Sequence, residues 1–243
     1  MRWAPVLTPP HGRANVPSQR RSSMKPDSSS RASRATTVLQ GPDGHRLVSP
    51  PAPAALPVPE RSATSRAVTP GLLAAILEQY CLPPFGLHGV RHWSRVLEIG
   101  RRLLPLTGAR ADVLELFSVL HDACRHNENH DPRHGARGAL LAGSLCGRAF
   151  ELDASGLLLL QEACAHHTDG GCDADVTVQT CWDSDRLDLG RAGIWPSPHK
   201  LCTRAACDPD LIAWATARSR WDETPDLVLE EWGVSKSLVP GVR

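Results

Sequence analysis

The chain has 243 residues, with 27 Lys and Arg against 26 Asp and Glu for a formal charge of +1. That balance does not suggest a nucleic-acid polymer or a membrane surface as partner, and the length suits one domain with a sizeable core plus appendages. No apolar run approaches the roughly 18–20 residues that span a bilayer. Arg2 is followed by proline-interrupted residues rather than the apolar centre of a secretory signal, so the expected location is cytoplasmic.

From residue 1 to about 68 the chain is rich in Pro, Ser and Arg and poor in large apolar residues, with runs such as Ser28-Ser29-Ser30 and Pro50-Pro51-Ala52-Pro53. Such a stretch buries too little surface to offset its ordering entropy, and it is read as a disordered tail. Its Arg- and Ser-rich first half also has the bias of an organelle transit peptide, which a flexible tail explains equally well.

Order is expected to begin at Thr69-Pro70, an N-cap followed by a first-turn proline ahead of Leu72, Leu73, Ile76 and Leu77. That helix should stop by Pro83-Pro84. A second is predicted from about Gly89 to Leu104, carried by Val90, Trp93, Val96, Leu97, Ile99 and Leu103 and closed by Pro105 and Gly108. If it extends back to His88, then His88 and His92 share a face. A third, about Ala111 to Cys124, buries Val113, Leu114, Leu116, Phe117 and Leu120 and so carries His121 and Asp122 inward.

The polar stretch Arg125 to Pro132 reads as a loop containing His126 and His130. A fourth helix, about Pro132 to Phe150, has His134 in its first turn and enough Gly and Ala for close helix packing. A fifth, Asp153 to His167, ends in His166-His167. A sixth runs through Val176, Val178, Trp182 and Leu187 and is punctuated by Asp183, Asp185 and Asp188. Short helices around Pro209 and Pro225 should follow, with Trp214, Trp221 and Trp232 as packing anchors. Strand-like alternation appears nowhere for more than a few residues, so the expected fold is all-α. The expected division is a tail over residues 1–68, a helical core over 69–206, and a helical extension over 207–243 packed on that core.

The eight cysteines contain no C-x-x-C pair, and several lie on apolar helical faces, as buried free thiols do. A zinc site using Cys202 and Cys207 has little support. Histidine is the more informative residue: nine of the eleven fall between His88 and His199. A buried ionised carboxylate such as Asp122 needs a partner, and a divalent cation shared with His121 would supply one.

In order, His92, His121-Asp122, His134, His167 and Asp185 resemble the HD-domain superfamily of metal-dependent phosphohydrolases, named for its adjacent His-Asp pair. The flanks His92-Trp93-Ser94-Arg95-Val96 and Asp183-Ser184-Asp185-Arg186-Leu187-Asp188 resemble that family's first-histidine helix and its D-x-D-R-L ending, and the likeness spans roughly residues 71–206. The resemblance implies an HD-domain helical bundle in which His92, His121, Asp122 and Asp185 hold one divalent ion. In two-metal members further histidines complete a second site, where His134 and His167 stand here, and Asp122 then bridges. His166 and His167 project about 100° apart, and the family's place for this histidine, at the very end of the helix, favours His167.

Such a centre, with Mn, Co, Ni, Mg or Fe and one ion or two, would activate water and polarise a phosphoryl oxygen. Asp122 and Arg125 are the expected catalytic residues, with Arg125 neutralising charge on the phosphate and Arg186 a weaker candidate for the same task. His88 is read as a helix-start residue or supporting partner, and His126 and His130 as mostly solvated loop residues. Asp183 could hold an imidazole N–H or orient water; Trp93, Trp182 and Trp195 are core or pocket wall. The expected activity is hydrolysis of a phosphomonoester or phosphodiester of a small molecule, with nucleotides among the candidates. Two alternatives stand beside it, an HD-fold di-iron oxygenase and a non-catalytic HD ligand-binding module.

Overall fold

The computed structural model describes residues 66–235 and, ahead of them, residues 39–40 and 46–47. Contacts divide the chain into a unit of residues 1–51 and another of residues 52–243. In the first, β1 (Leu39–Gln40) pairs antiparallel with β2 (Arg46–Leu47), Leu39 opposite Leu47. Apart from these strands and Arg66 to Val68, the tail expected over residues 1–68 lies outside the described residues. Just ahead of Thr69, Val68 is already buried, and the Ala67 N–H donates to Glu115 Oε2 at 2.8 Å.

Within the second unit the named elements are all helices. α1 (Pro70–Gln79) starts as its residues dictate, the Thr69 hydroxyl accepting from the Leu72 N–H at 3.1 Å and Pro70 in the first turn. α2 (Val90–Thr107) does not end before Pro105 as expected. An exposed proline in the last turn removes only one ladder bond, and Gly108, at φ 71°, closes the helix by donating to the Leu104 carbonyl. The helix also starts too late to include His88.

α3 (Ala111–Leu120) buries Val113, Leu114, Leu116, Phe117 and Leu120 but stops short of the expected Cys124. His121 caps it, its Nδ1 donating to the Phe117 carbonyl at 3.0 Å, and bonds from Ala123 to Leu120 and from Arg125 to Asp122 form the turn beyond. α4 (His134–Leu145) is shorter than predicted at both ends. α5 (Ala154–His166) and α6 (Val176–Arg186) start on the carboxylate caps Asp153 and Asp175. 3-10 turns at Leu189–Ala192 and Pro198–Lys200, α7 (Pro209–Arg220) and α8 (Leu227–Glu230) complete the series.

The main core gathers Trp93, Phe117, Leu160 and Trp182, while a second cluster joins Ile99, Leu103 and Leu187 to Ala206, Ile212 and Ala215. Residues on either side of position 207 therefore share one core. Trp232 is buried, but Trp195 and Trp221, expected as pocket wall and packing anchor, are 59% and 69% exposed. Trp221 lies beyond the buried stripe of α7, and Trp195 follows the left-handed Gly193 that ends the 3-10 turn.

Glycine places α4 against the ends of its neighbours. A Cβ on Gly138 would stand 2.6 Å from the Leu120 carbonyl oxygen, and one on Gly135 would stand 2.4 Å from that of Cys164. The first turns of α4 therefore lie directly on the backbone that presents His121 and on the backbone that leads to His167.

Candidate metal centre

Five successive helices deliver one cluster. α2 supplies His92, the turn after α3 supplies His121 and Asp122, α4 begins with His134, α5 is followed by His167, and α6 carries Asp185. All six residues are buried. The structure thus brings together every metal-site residue singled out in the sequence.

The imidazoles are held in one tautomeric sense. Nδ1 of His121, His134 and His167 donates to the carbonyls of Phe117, Asp131 and Cys164 respectively, and Nδ1 of His92 donates to Asp188 Oδ2 at 2.8 Å. With Nδ1 donating outward, each ring turns its Nε2 toward the cluster, where the neutral form would present a lone pair. His92 and His121 then face each other Nε2 to Nε2 at 3.0 Å, and His134 and His167 at 2.8 Å. Facing lone pairs at that distance repel unless positive charge lies beside them.

Asp122 divides the cluster. Its Oδ2 lies 3.6 Å from both His92 and His121 Nε2, while its Oδ1 lies 3.1 Å from His134 Nε2 and 3.6 Å from His167 Nε2. Asp185 Oδ1 sits 3.3 Å from His92 Nε2 and 3.9 Å from His121 Nε2, yet this buried atom makes no hydrogen bond. His92, His121 and Asp185 form one group of donor atoms close enough to share an ion, and His121, Asp122 and His167 form another.

Electrostatics point the same way. Burial pulls the His121 ring down to about 3, so it stays neutral at ordinary pH. Burial alone would push Asp122 and Asp185 up. For Asp122 the His121, His134 and His167 rings more than reverse that, and for Asp185 His92 and Arg191 do, so both carboxyls stay ionised below the usual range. Burial would likewise lower His167, but the Asp122 carboxylate beside it outweighs burial and raises it. Between Asp122 and the rings the site therefore calls for positive charge, which a proton or a cation answers.

The donor set fits a divalent transition-metal ion. Ligand atoms bound at right angles at about 2.1 Å lie about 3.0 Å apart, and both Nε2 separations fall near that value. Imidazole nitrogen mixed with carboxylate suits such ions. The orphaned Asp185 Oδ1 would gain the partner it lacks.

The supporting residues correct several expectations. Asp188, three residues beyond Asp185, holds His92; Asp183 does not. Asp183 instead accepts from the backbone N–H groups of Cys202 and Thr203 at 2.7 and 2.8 Å. Arg186 leaves the site and donates to the carbonyls of Gly170 and Lys200. Arg95 and Arg191, neither singled out beforehand, both border the cluster: Arg95 grips Asp188 through Nε at 2.7 Å and NH2 at 3.2 Å, and Arg191 NH2 lies 3.6 Å from Asp185 Oδ1. Their signal was the i,i+3 spacing of Arg95 from His92 and of Arg191 from Asp188.

Arg125 does enter the site, its NH1 donating to His134 Nε2 at 3.1 Å and lying 3.4 Å from Asp122 Oδ1. Its other nitrogens are held by the carbonyls of Asn127 and Asn129. His88 is buried outside the donor set and pairs through Nδ1 with Glu128. His126, His130 and His166 are exposed, whereas His167 is buried in the cluster. Cys202 and Cys207 are free thiols bonded to separate carbonyls, those of Gly171 and Pro198.

Comparison with family models, with curated proteins and with solved structures finds no match to this chain. The helical body with a buried His/Asp cluster able to hold a metal is compatible with an HD-like fold. No described helix is long and apolar enough to cross a membrane.

Proposed function

We propose that the chain is an HD-domain protein and a metal-dependent phosphohydrolase acting on a phosphate ester of a small molecule. One observation carries the reading. Asp122 stands between two pairs of inward-facing imidazoles, one carboxylate oxygen toward each, with Asp185 completing the His92 and His121 side. His92, His121, Asp122 and Asp185 would hold one divalent ion, and His134 and His167 with Asp122 would hold a second if two bind.

A divalent ion there would lower the pKa of bound water toward neutrality and polarise a phosphoryl oxygen. The chain supplies the remainder. Carbonyl and carboxylate partners fix the imidazole orientations, and Arg125, fixed by the Asn127 and Asn129 carbonyls, places a guanidinium where charge grows on the phosphate. The four-imidazole set also suits iron, which keeps a second reading, a di-iron oxygenase, within the same test.

That test is elemental analysis of protein purified without added metal, paired with a screen of phosphorylated metabolites and of oxygen uptake. Release of phosphate supported by Mn, Co, Ni or Mg is the expected result; two tightly held irons with oxygen consumption would replace it by the second reading. Asp122→Ala should remove most bound metal and lower hydrolysis of an aryl phosphate by about 100-fold or more, as loss of a shared ligand requires. Full metal content and full activity in that variant would overturn the assignment.

A further inference from the structure

Next to the cluster the body contains a cavity of about 230 Å3, and Arg95 and Arg191 border both. Phe85 and Leu87, from the loop ahead of α2, form apolar wall, while Arg220 and Asp222 close the side toward the end of α7. Ligand pockets that enclose a whole small molecule run from about 300 Å3 upward, so this space takes one chemical group rather than an entire substrate.

The charges around it are uneven. Asp222, the one acidic residue in the lining, is already engaged by Arg95, whose NH1 reaches its Oδ1 at 3.1 Å, and by Arg91. Arg95 has each of its guanidinium nitrogens in use, on Asp188, Asp222 and the Glu223 carbonyl. Arg191 differs in one atom: NH1 donates to the Asp188 carbonyl at 3.0 Å and lies 3.6 Å from Asp188 Oδ2, and NH2 lies 3.6 Å from Asp185 Oδ1, but its buried Nε has no hydrogen-bond partner, although the side chain is only 8% exposed. A buried guanidinium N–H without a partner costs free energy, and an oxyanion beside it removes that cost with a charge-assisted bond.

We infer that this cavity is a subsite for an oxyanion group of the substrate, bound by Arg191, so that the substrate carries a second phosphate or carboxylate besides the ester that is cleaved. The inference rests on the phosphohydrolase reading for the word substrate, and on the cavity and the Arg191 donor for the anion. Arg191 links the two places: its NH2 lies 3.6 Å from Asp185 while the residue lines the cavity. A doubly anionic compound would lay one group there and the other at the His/Asp cluster.

The test measures inorganic phosphate binding by calorimetry to the full-length protein and to three variants. Arg191→Met should weaken the cavity-bound phosphate at least about tenfold, the scale of one lost charge-assisted bond, and Arg191→Lys should restore part of it. Asp122→Asn, which disables the metal cluster, should leave one phosphate bound. If Arg191→Met does not fold, Arg191→Lys decides alone, since an ammonium lacks the guanidinium's paired donors and should bind at least about threefold less tightly than wild type. Unchanged binding in the Arg191 variants, or complete loss in Asp122→Asn, would overturn the subsite. A chain that cleaves no phosphate ester yet loses phosphate on Arg191→Met keeps the subsite and loses only the hydrolase reading.

Discussion

The two halves of the His/Asp cluster are held by different means. On the His92 side His121 leans on the Phe117 carbonyl, but His92 is oriented by a fully buried carboxylate, Asp188, itself gripped by Arg95 and flanked by Arg191. On the other side His134 and His167 lean on the backbone carbonyls of Asp131 and Cys164, and their neighbouring cation, Arg125, is tied to carbonyls of the loop 125–131. A buried ionic network leaves an uncompensated charge when one member is lost, whereas a carbonyl at a helix end is a local support. The first half is therefore coupled to the stability of the whole body, and the second chiefly to the site.

The largest expected effect breaks the first half. Asp188→Asn would leave Arg95, 2% exposed, without its main counter-ion and would weaken the hold on His92. A loss of about 3–5 kcal/mol of stability follows from breaking such a pair. Metal affinity should fall about 10–100-fold with the loss of the group that orients a ligand. Urea unfolding and a metal titration read the two separately, and a stability loss below about 1 kcal/mol would show that the network is not what supports this half.

His134→Gln sharpens the contrast from the other side. It removes an imidazole whose partners are Asp131 O, Asp122 and Arg125, and no buried ion pair loses its counter-ion. Metal held between Asp122, His134 and His167 should fall about 10–100-fold, while His92, His121 and Asp185 continue to bind, and stability should change by no more than about 1 kcal/mol. Metal per chain and thermal unfolding measure both. Destabilisation as large as that of Asp188→Asn would erase the difference between the halves.

The same contrast explains what the sequence disclosed. The helix start at Thr69 could be read because the capping group and its target lie within three residues, and Asp153 and Asp175 cap α5 and α6 over the same short reach. The ordered set from His92 to Asp185 was readable through its resemblance to the HD-domain superfamily, and its members sit near the starts and ends of helices. The task of holding an imidazole N–H was expected of Asp183 rather than Asp188 because Asp183, Asp185 and Asp188 look alike until the turn of α6 is followed. Positions two apart on a helix project about 200° from each other, so Asp183 faces the Cys202 and Thr203 backbone while Asp185 faces the cluster. The continuation of α2 through Pro105 and the exposure of Trp195 and Trp221 depended on which side of each element met the core, a tertiary property that local pattern does not carry.

The smallest expected effect tests the choice between neighbouring histidines. His166 is the last residue of α5, its side chain 61% exposed and 4.0 Å from Asp169, whereas His167 is buried with its Nε2 directed at Asp122. Because the two project in different directions, His166→Ala should leave metal content unchanged and alter stability by less than about 0.5 kcal/mol, as surface replacements do. His167→Ala should lower metal content in the same assay. An inverted outcome, with metal lost on replacing His166 and kept on replacing His167, would require the end of α5 to be rotated by about one residue. That rotation would turn the imidazole now facing Asp122 out to solvent and empty this half of the centre of one of its two rings.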